Sequence, residues 1–310
     1  MAVDAGQGAR MMPRAHRSRV ARHEANVAFL LLLPSAVLFL IFVAGPMFAS
    51  LVLTFLRWDG LTAAHVAGLD NYGTLLHDDL LRTVITNTVV FVVASVLLKM
   101  LLALLLAVLV TRYAPRFFST LFRSIVFFPV IISGVAIGII WQWLMGTSFG
   151  LINYYLGLLG ISPVEWLDSS QYAMGSLVTV DVWRSVGFSF VVFTAGLQGI
   201  PAHLYEAAEL DGAGEWAKFR HVTLALLSPT TFFLLIINLI NAFQFFDLSY
   251  VMTQGGPGDA TRTIVYYIYF TGFRFFRFGY ASTVALLLFA ILALLTFIQV
   301  RLSGRWVFYQ

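Results

Sequence analysis

Three polar side chains, Asn241, Gln244 and Asp247, lie in or next to an otherwise apolar stretch of the chain. Steps of three residues keep them within an arc of about 120° if the stretch is helical. Amides and carboxylates at membrane depth are costly unless they face protein or a water-filled path. These side chains therefore predict either hydrogen bonds that hold helices together or contacts to a polar molecule inside the membrane.

The residues around this trio add aromatic surface and a fourth amide. Asn238 lies just beyond the predicted arc, and Phe243, Phe245 and Phe246 alternate with the polar positions. Aromatic rings can pack against the apolar face of a sugar while neighbouring amides bind its hydroxyl groups. The stretch thus has the chemistry of a binding surface for a polar solute.

A second feature is a polar segment, residues 205–216, between two long apolar stretches. Pro201 can open a helix at its first turn, and Gly212 and Gly214 can end that helix about three turns later. The segment predicts a short helix outside the bilayer.

The side chains of this short helix suit close contact with another surface. Ala207 and Ala208 keep one face shallow, while Glu206, Glu209 and Asp211 supply acceptors around it. Such a helix either docks into a cleft of a second protein or lies in the membrane interface as an ordinary amphipathic helix.

Several chemistries are excluded by what the sequence lacks. There is no G-x-x-x-x-G-K-[ST] phosphate loop, no G-x-S-x-G elbow and no H-E-x-x-H pair, and the chain contains no cysteine. We therefore expect no catalytic residues, no metal site and no ATP or Mg²⁺ bound by this chain.

The composition is that of a membrane protein, with 60% hydrophobic and 11% charged residues. Residues 1–25 form a basic tail that we expect to be disordered and cytoplasmic, and residues 26–310 form the transmembrane domain. Stretches of about 20 apolar residues predict membrane-spanning helices. The six predicted spans are about 28–48, 84–110, 122–144, 174–198, 223–245 and 281–302.

Arginine and lysine are more frequent at one set of span ends, as expected for cytoplasmic loops. The cytoplasmic set contains Arg112, Arg116, Arg123, Lys218 and Arg220 in the connections, besides the arginines of both termini. Both termini and the short helix are therefore predicted to be cytoplasmic. The net charge of +4 comes largely from these flanks and calls for no nucleic acid.

The short helix and its surroundings resemble a known family. Glu206-Ala207-Ala208, three further residues, Gly212, nine residues, then Val222 and Leu224 is similar to the cytoplasmic EAA loop of ABC importer permeases. The stretches 195–201 and 243–257 resemble the sugar and glycerol-3-phosphate branch, of the maltose-F and glycerophosphate-A type. The chain departs from the family at Ala225, where a proline is usual.

The resemblance implies an all-α integral membrane fold, a six-helix permease bundle in a bacterial-type inner membrane. It further implies a second permease, two ATPase subunits that bind ATP and Mg²⁺, and an external binding protein. The coupling element would be about 201–222, with Glu206, Ala207, Ala208, Glu209, Asp211 and Gly212 at the ATPase. Asn238, Asn241, Gln244, Phe245 and Asp247 would line the path of a sugar, oligosaccharide or glycerophospho-compound.

Three charges inside predicted spans bear on the alternatives. Asp181 and Arg184, three residues apart, are predicted to neutralise each other. Lys99 is predicted to pair across the bundle or to snorkel, with contact to cargo as the alternative, and an anionic cargo would favour such contact for both Lys99 and Arg184. An ion-coupled secondary transporter would need a free intramembrane acid, and a lipid-modifying enzyme would need a nucleophile or metal cluster. Neither requirement is evident in the sequence.

Overall fold

The computed structural model describes residues 14–308. Its α-helices are α1 (Arg14–Phe39), α2 (Gly45–Leu53), α3 (Asp70–Leu76), α4 (Asp79–Tyr113), α5 (Arg116–Phe127), α6 (Gly134–Leu144), α7 (Leu151–Leu158), α8 (Ala173–Gln198), α9 (Ala202–Leu210), α10 (Glu215–Lys218), α11 (Leu224–Leu226), α12 (Ser228–Phe243), α13 (Ile264–Tyr269) and α14 (Phe278–Ser303). Short π-helical segments occur at Leu40–Ala44, Phe219–Thr223, Ser249–Thr253 and Phe270–Arg274, and a 3₁₀ helix at Phe128–Ile131. Two strands, β1 (Leu56–Arg57) and β2 (His65–Val66), pair antiparallel.

The described chain forms two compact units, one up to Val52 and one from Leu53 onward. In the first unit, α1 begins at Arg14, inside the predicted tail, and the rest of that tail lies outside the described residues. The span Asn26–Leu53 is 28 residues long and leaves its large apolar side chains exposed. An apolar surface of this length fits lipid.

The second unit is organised around α4, which packs along α8. Asp78 caps α4 by accepting a hydrogen bond from the backbone N–H of Leu81 at 3.0 Å. The buried face of α4 contains Val84, Thr88, Phe91, Ser95, Lys99, Ala103 and Ala107. These residues follow a helical period, and the fully buried alanines allow α4 to approach its neighbours closely.

Two of the predicted spans are broken helices rather than single ones. The predicted span 122–144 bends by 98° between Phe117–Ile131 and Gly134–Leu144, and 223–245 bends by 62° between Glu215–Leu226 and Ser228–Phe243. Pro129 lies just before the first break and Pro229 just after the second, and the missing N–H of each interrupts the helical hydrogen bonds there. By length and composition, the described residues contain four candidate spans, or up to six if each bent pair counts as one.

The loop after α12 is fixed against the rest of the second unit by hydroxyl and amide bonds. Ser249 Oγ donates to the carbonyl of Thr261 at 2.7 Å, and Thr263 Oγ1 donates to that of Phe245 at 2.9 Å. Asn87 of α4 donates to the carbonyl of Asp259 at 2.8 Å. The residues directly after α12 are therefore held in place beside α4 and α8.

Candidate functional site

A cavity of about 530 Å³ lies among α4, α8, α12 and the bend before α6. This volume is within the range of small-molecule sites, about 300–1,000 Å³. Its lining residues are Lys99, Val130, Asp181, Arg184, Ser185, Phe188, Ile237, Asn238, Asn241, Gln244, Phe245, Phe246 and Asp247. All five residues predicted to line a substrate path are among them.

The helical arc predicted for Asn241, Gln244 and Asp247 is wrong in one respect. The helix α12 ends at Phe243, so Gln244 is its C-terminal cap, and Asp247 begins the next helical segment after a break at 244–246. Asp247 still reaches the cavity, and its Oδ1 accepts a hydrogen bond from the N–H of Leu248 at 3.0 Å. The break after α12, rather than the periodicity of one continuous helix, brings the carboxylate beside the two amides.

The predicted mutual neutralisation of Asp181 and Arg184 is also wrong. Asp181 pairs with Lys99 of α4 at 3.1 Å, and Arg184 pairs with Asp247 at 2.5 Å. Both side chains belong to one face of α8, but each finds a closer partner on a different element. The pairing of Lys99 across the bundle is confirmed.

The two ion pairs differ in burial. The Lys99 and Asp181 side chains are 3% and 13% exposed, and Ser95 Oγ also donates to Asp181. The Arg184 and Asp247 side chains are 28% and 30% exposed. Both pairs line the cavity, but the first is almost fully buried in its wall, whereas the second is more exposed.

The predicted path residues fall into two groups. Asn238 is buried and donates to Ser189 Oγ and to the Leu234 carbonyl, both at 2.9 Å. Phe245 is buried as well and stacks on Phe91 with ring centroids 3.9 Å apart. The side chains of Asn238 and Phe245 are therefore held in place as part of the cavity wall. Asn241 and Gln244 are exposed, and their amides are open to a ligand.

The sequence-based prediction missed several lining residues. Ser185 and Phe188 of α8 line the cavity together with Asp181 and Arg184, at spacings i, i+3, i+4 and i+7. That helical period was the signal that could have found them. Val130 lies in the 3₁₀ turn before α6, next to Pro129. That proline signals a helix break but does not indicate which side chains then face the cavity.

The second predicted site is the short helix α9, which is bounded as the sequence predicted. Pro201 is its N-cap, and Gly212 follows it with a positive φ of 80°. The N–H of Gly212 bonds the Glu209 carbonyl at 3.0 Å, and the N–H of Ala213 bonds that of Ala208 at 2.9 Å. A left-handed residue at this place closes the helix and favours glycine.

A lysine joins the short helix to the next element. Lys218 pairs with Glu209 at 3.3 Å and with Glu215 at 2.6 Å, and Glu215 also pairs with Arg112 of α4 at 2.8 Å. Glu209 therefore has an internal partner.

The remaining residues of this surface face outward. Glu206, Ala207, Asp211 and Gly212 are exposed, Ala208 is half-buried, and neither acid makes an ion pair within residues 14–308. Leu210 is 90% exposed, and Trp216 is 71% exposed. Apolar and acidic groups open to solvent on one short turn are typical of a surface that another protein covers.

Among the described residues, no three His, Cys, Asp or Glu side chains cluster closely enough to hold a metal ion. A helical membrane protein with a polar cavity between its helices has an architecture that suits a transport subunit.

Residues 99–309 match the family of binding-protein-dependent transport system inner membrane components, and the chain belongs to this family. It is 35% identical over 285 residues to the sn-glycerol-3-phosphate transport system permease protein UgpA of Brucella abortus, covering 91% of this chain and 96% of that protein. It is 32% identical over 292 residues to the trehalose/maltose transport system permease protein MalF of Thermococcus litoralis, covering 93% and 97%.

The fold also matches a solved structure. A bacterial ABC transporter involved in the import of the acidic polysaccharide alginate superimposes with a TM-score of 0.82 at 24% identity, covering 93% of this chain and 99% of that one. The match shows the all-α permease fold.

Proposed function

We propose that this permease carries a sugar, an oligosaccharide or a glycerophospho-compound through the cavity between α4, α8 and α12. The observation that carries this proposal is the convergence of Asn241, Gln244 and Asp247 on one cavity of about 530 Å³. Two exposed amides, each a donor and an acceptor, beside aromatic rings suit a polyhydroxylated molecule. Relatives named for sn-glycerol-3-phosphate, trehalose/maltose and arabinooligosaccharides support the same class of cargo.

The energy for transport would come from partners. In this proposal the chain works with a second permease, two ATPase subunits and an external binding protein, and ATP and Mg²⁺ bind to the ATPases. The element 201–222 enters an ATPase cleft through Glu206, Ala207, Ala208, Glu209, Asp211 and Gly212. The exposure of Glu206 and Asp211 supports this role, because unpaired surface acids are available to a partner.

Transport would proceed by alternating access. Closure of the ATPases moves the element 201–222 as a lever and turns the cavity outward to accept cargo. A partner shifts the equilibrium between the inward-facing and outward-facing states only by binding these two states with different affinities.

An ion-coupled secondary transporter is less well supported. Coupling to protons or cations needs an intramembrane acid that can bind and release the ion. Asp181 and Asp247, the two acids that line the cavity, are each paired with a cation.

Reconstitution of the complex tests this function. Uptake of labelled maltose and of labelled sn-glycerol-3-phosphate is measured in proteoliposomes. ATP is supplied on the side of the ATPases, and the binding protein with the labelled solute is supplied on the opposite side. We expect uptake of one of these classes only with ATP and the ATPases. Uptake by the chain alone, driven by an imposed ion gradient, would favour the secondary transporter.

Topology provides a separate test, because both termini and 201–222 are proposed to be cytoplasmic. Leu210→Cys and Phe149→Cys place single cysteines at sites 90% and 92% exposed in a cysteine-free chain. We expect an impermeant thiol reagent to label position 210 from the cytoplasmic side only and position 149 from outside only. The reverse pattern would overturn the orientation.

A further inference from the structure

The charged residues that line the cavity cancel one another. Lys99 and Arg184 contribute two positive charges, and Asp181 and Asp247 contribute two negative charges. Each cation lies within 3.1 Å of its own carboxylate. Because each cation among these lining residues has its own carboxylate partner, the cavity offers no net positive charge to a phosphate or a carboxylate.

The pair nearer to the cavity space is Arg184 and Asp247, and the fold holds its carboxylate in place. The Leu248 N–H donates to Asp247 Oδ1 at 3.0 Å. The carboxylate occupies the space beside Gly134, where a Cβ would overlap it. An anionic cargo at Arg184 would either lie beside the Asp247 carboxylate and be repelled by it, or displace that carboxylate and leave it partly buried without its cation. Both arrangements are unfavourable.

The uncharged groups of the lining suit a different ligand. Asn241 and Gln244 are exposed amides, Ser185 adds a hydroxyl, and Phe188 and Phe246 add aromatic surface. Hydroxyl groups can exchange hydrogen bonds with these amides without disturbing either ion pair.

We propose that the cavity takes an uncharged carbohydrate, and that Asp247 is the specificity-determining residue that keeps Arg184 from binding anionic cargo. This inference rests on the proposed function and selects neutral saccharides over phosphorylated and acidic compounds.

The electrostatic potential in the cavity can be measured without knowing the cargo. Asn241→Cys in the cysteine-free chain gives one reactive thiol among the lining residues. Its reaction rates with MTSES, a sulfonate, and MTSET, a quaternary ammonium reagent, are compared in the purified full-length protein in detergent. The ratio of the two rates is normalised to that of a small uncharged thiol.

We expect a normalised ratio near one for the protein with both pairs intact. Adding Asp247→Asn should shift the ratio about tenfold toward the anionic reagent, since one uncancelled charge a few ångströms away acts oppositely on the two reagents. Arg184→Gln should shift it in the other direction, and the double variant should restore it. Asp59→Asn, outside the cavity, is the matched control.

A ratio already several-fold in favour of MTSES in the intact protein would overturn the proposal, as would an unchanged ratio in Asp247→Asn. Size-exclusion profiles show whether the single variants stay folded, and the charge-neutral double variant guards against a structural artefact. Because the measurement needs neither ATP nor partners, its failure is distinct from failure of the proposed transport function.

Discussion

The cavity and the short helix α9 both contain ion pairs, but the pairs are built differently. In the cavity, Lys99 and Asp181 join α4 to α8, and their side chains are 3% and 13% exposed. Beside α9, Lys218 pairs with Glu209 and Glu215, whose side chains are 74% and 70% exposed. In the first arrangement both partners are shielded from water, whereas in the second a largely buried lysine meets two carboxylates that remain exposed.

This difference separates charges that stabilise the fold from charges that are available to bind a partner protein. Removing one partner of a buried pair leaves a desolvated charge and costs about 3–5 kcal/mol, whereas an exposed pair contributes about 0–1 kcal/mol. We therefore expect cavity substitutions to change stability and function together. Substitutions on the exposed turn should change function with little effect on stability.

The largest effect is expected for Lys99→Met. Methionine keeps much of the side-chain volume but leaves Asp181 without its cation, which should lower the free energy of unfolding by about 3–5 kcal/mol. Thermal melting of the purified protein in detergent measures this loss.

Two further variants decide whether the lost charge is the cause. The double variant Lys99→Met with Asp181→Asn should recover much of the stability, because no charge is then left unpaired. Arg57→Met breaks an exposed pair with Asp70 and should change melting little. Equal losses in Lys99→Met and Arg57→Met would contradict the distinction between the two regions.

A smaller loss is expected for Gly134→Ala. A Cβ at Gly134 would overlap the Asp247 carboxylate and crowd the Arg184 guanidinium, so the ion pair must shift. Overpacking of this kind costs about 1–3 kcal/mol. Gly157→Ala, on α7, is the control because nothing lies within 4 Å of its added methyl group. The lower melting temperature should appear in Gly134→Ala alone.

Asp78, at the start of α4, is half-buried, so its burial lies between that of the Lys99–Asp181 pair and that of the exposed acids beside α9. Tyr267 and Tyr280 each donate a hydroxyl to its Oδ2 at 2.5 Å. Burial alone would raise the pKa of Asp78, but the hydrogen bonds from Tyr267 and Tyr280 hold it below the ordinary value of 3.8. Burial, together with the bond to Asp78, raises the pKa of Tyr267 to about 12.

The lowered pKa of Asp78 fixes the sign of a pH effect. The stabilisation is complete above the ordinary carboxyl value and is lost as the pH falls through the lowered one. Tyr267→Phe removes one donor, so its melting temperature should be lower near neutral pH and fall less steeply on acidification below about pH 4. Tyr72→Phe, which loses a bond to Thr54 instead, should keep the full acid dependence.

The same contrast explains how much the sequence could predict. The bounds of α9 follow from Pro201 and Gly212, because a proline at a helix start and a left-handed glycine at its end are local requirements. Asn241 and Gln244 could be predicted as cavity residues, because amides at membrane depth are costly unless they face protein or a water-filled path. The partners of Asp181 and Arg184 could not be predicted, because both depend on how α4 and the helical segment that begins at Asp247 pack against α8.

The smallest effect on stability, and the sharpest test of the comparison, is expected for Glu206→Lys. Glu206 is exposed on α9 and makes no ion pair within the described residues, so reversing its charge should change the free energy of unfolding by less than about 0.5 kcal/mol. If α9 enters an ATPase cleft, the reversed charge opposes docking and ATP-driven uptake should be abolished. Glu165→Lys reverses another exposed acid, outside 201–222, so it controls for surface charge and should leave uptake intact. Melting temperature and uptake are measured on the same preparations. Normal uptake by Glu206→Lys would contradict the docking role. Lost uptake with an unchanged melting temperature would show that this turn acts on a partner rather than on the fold.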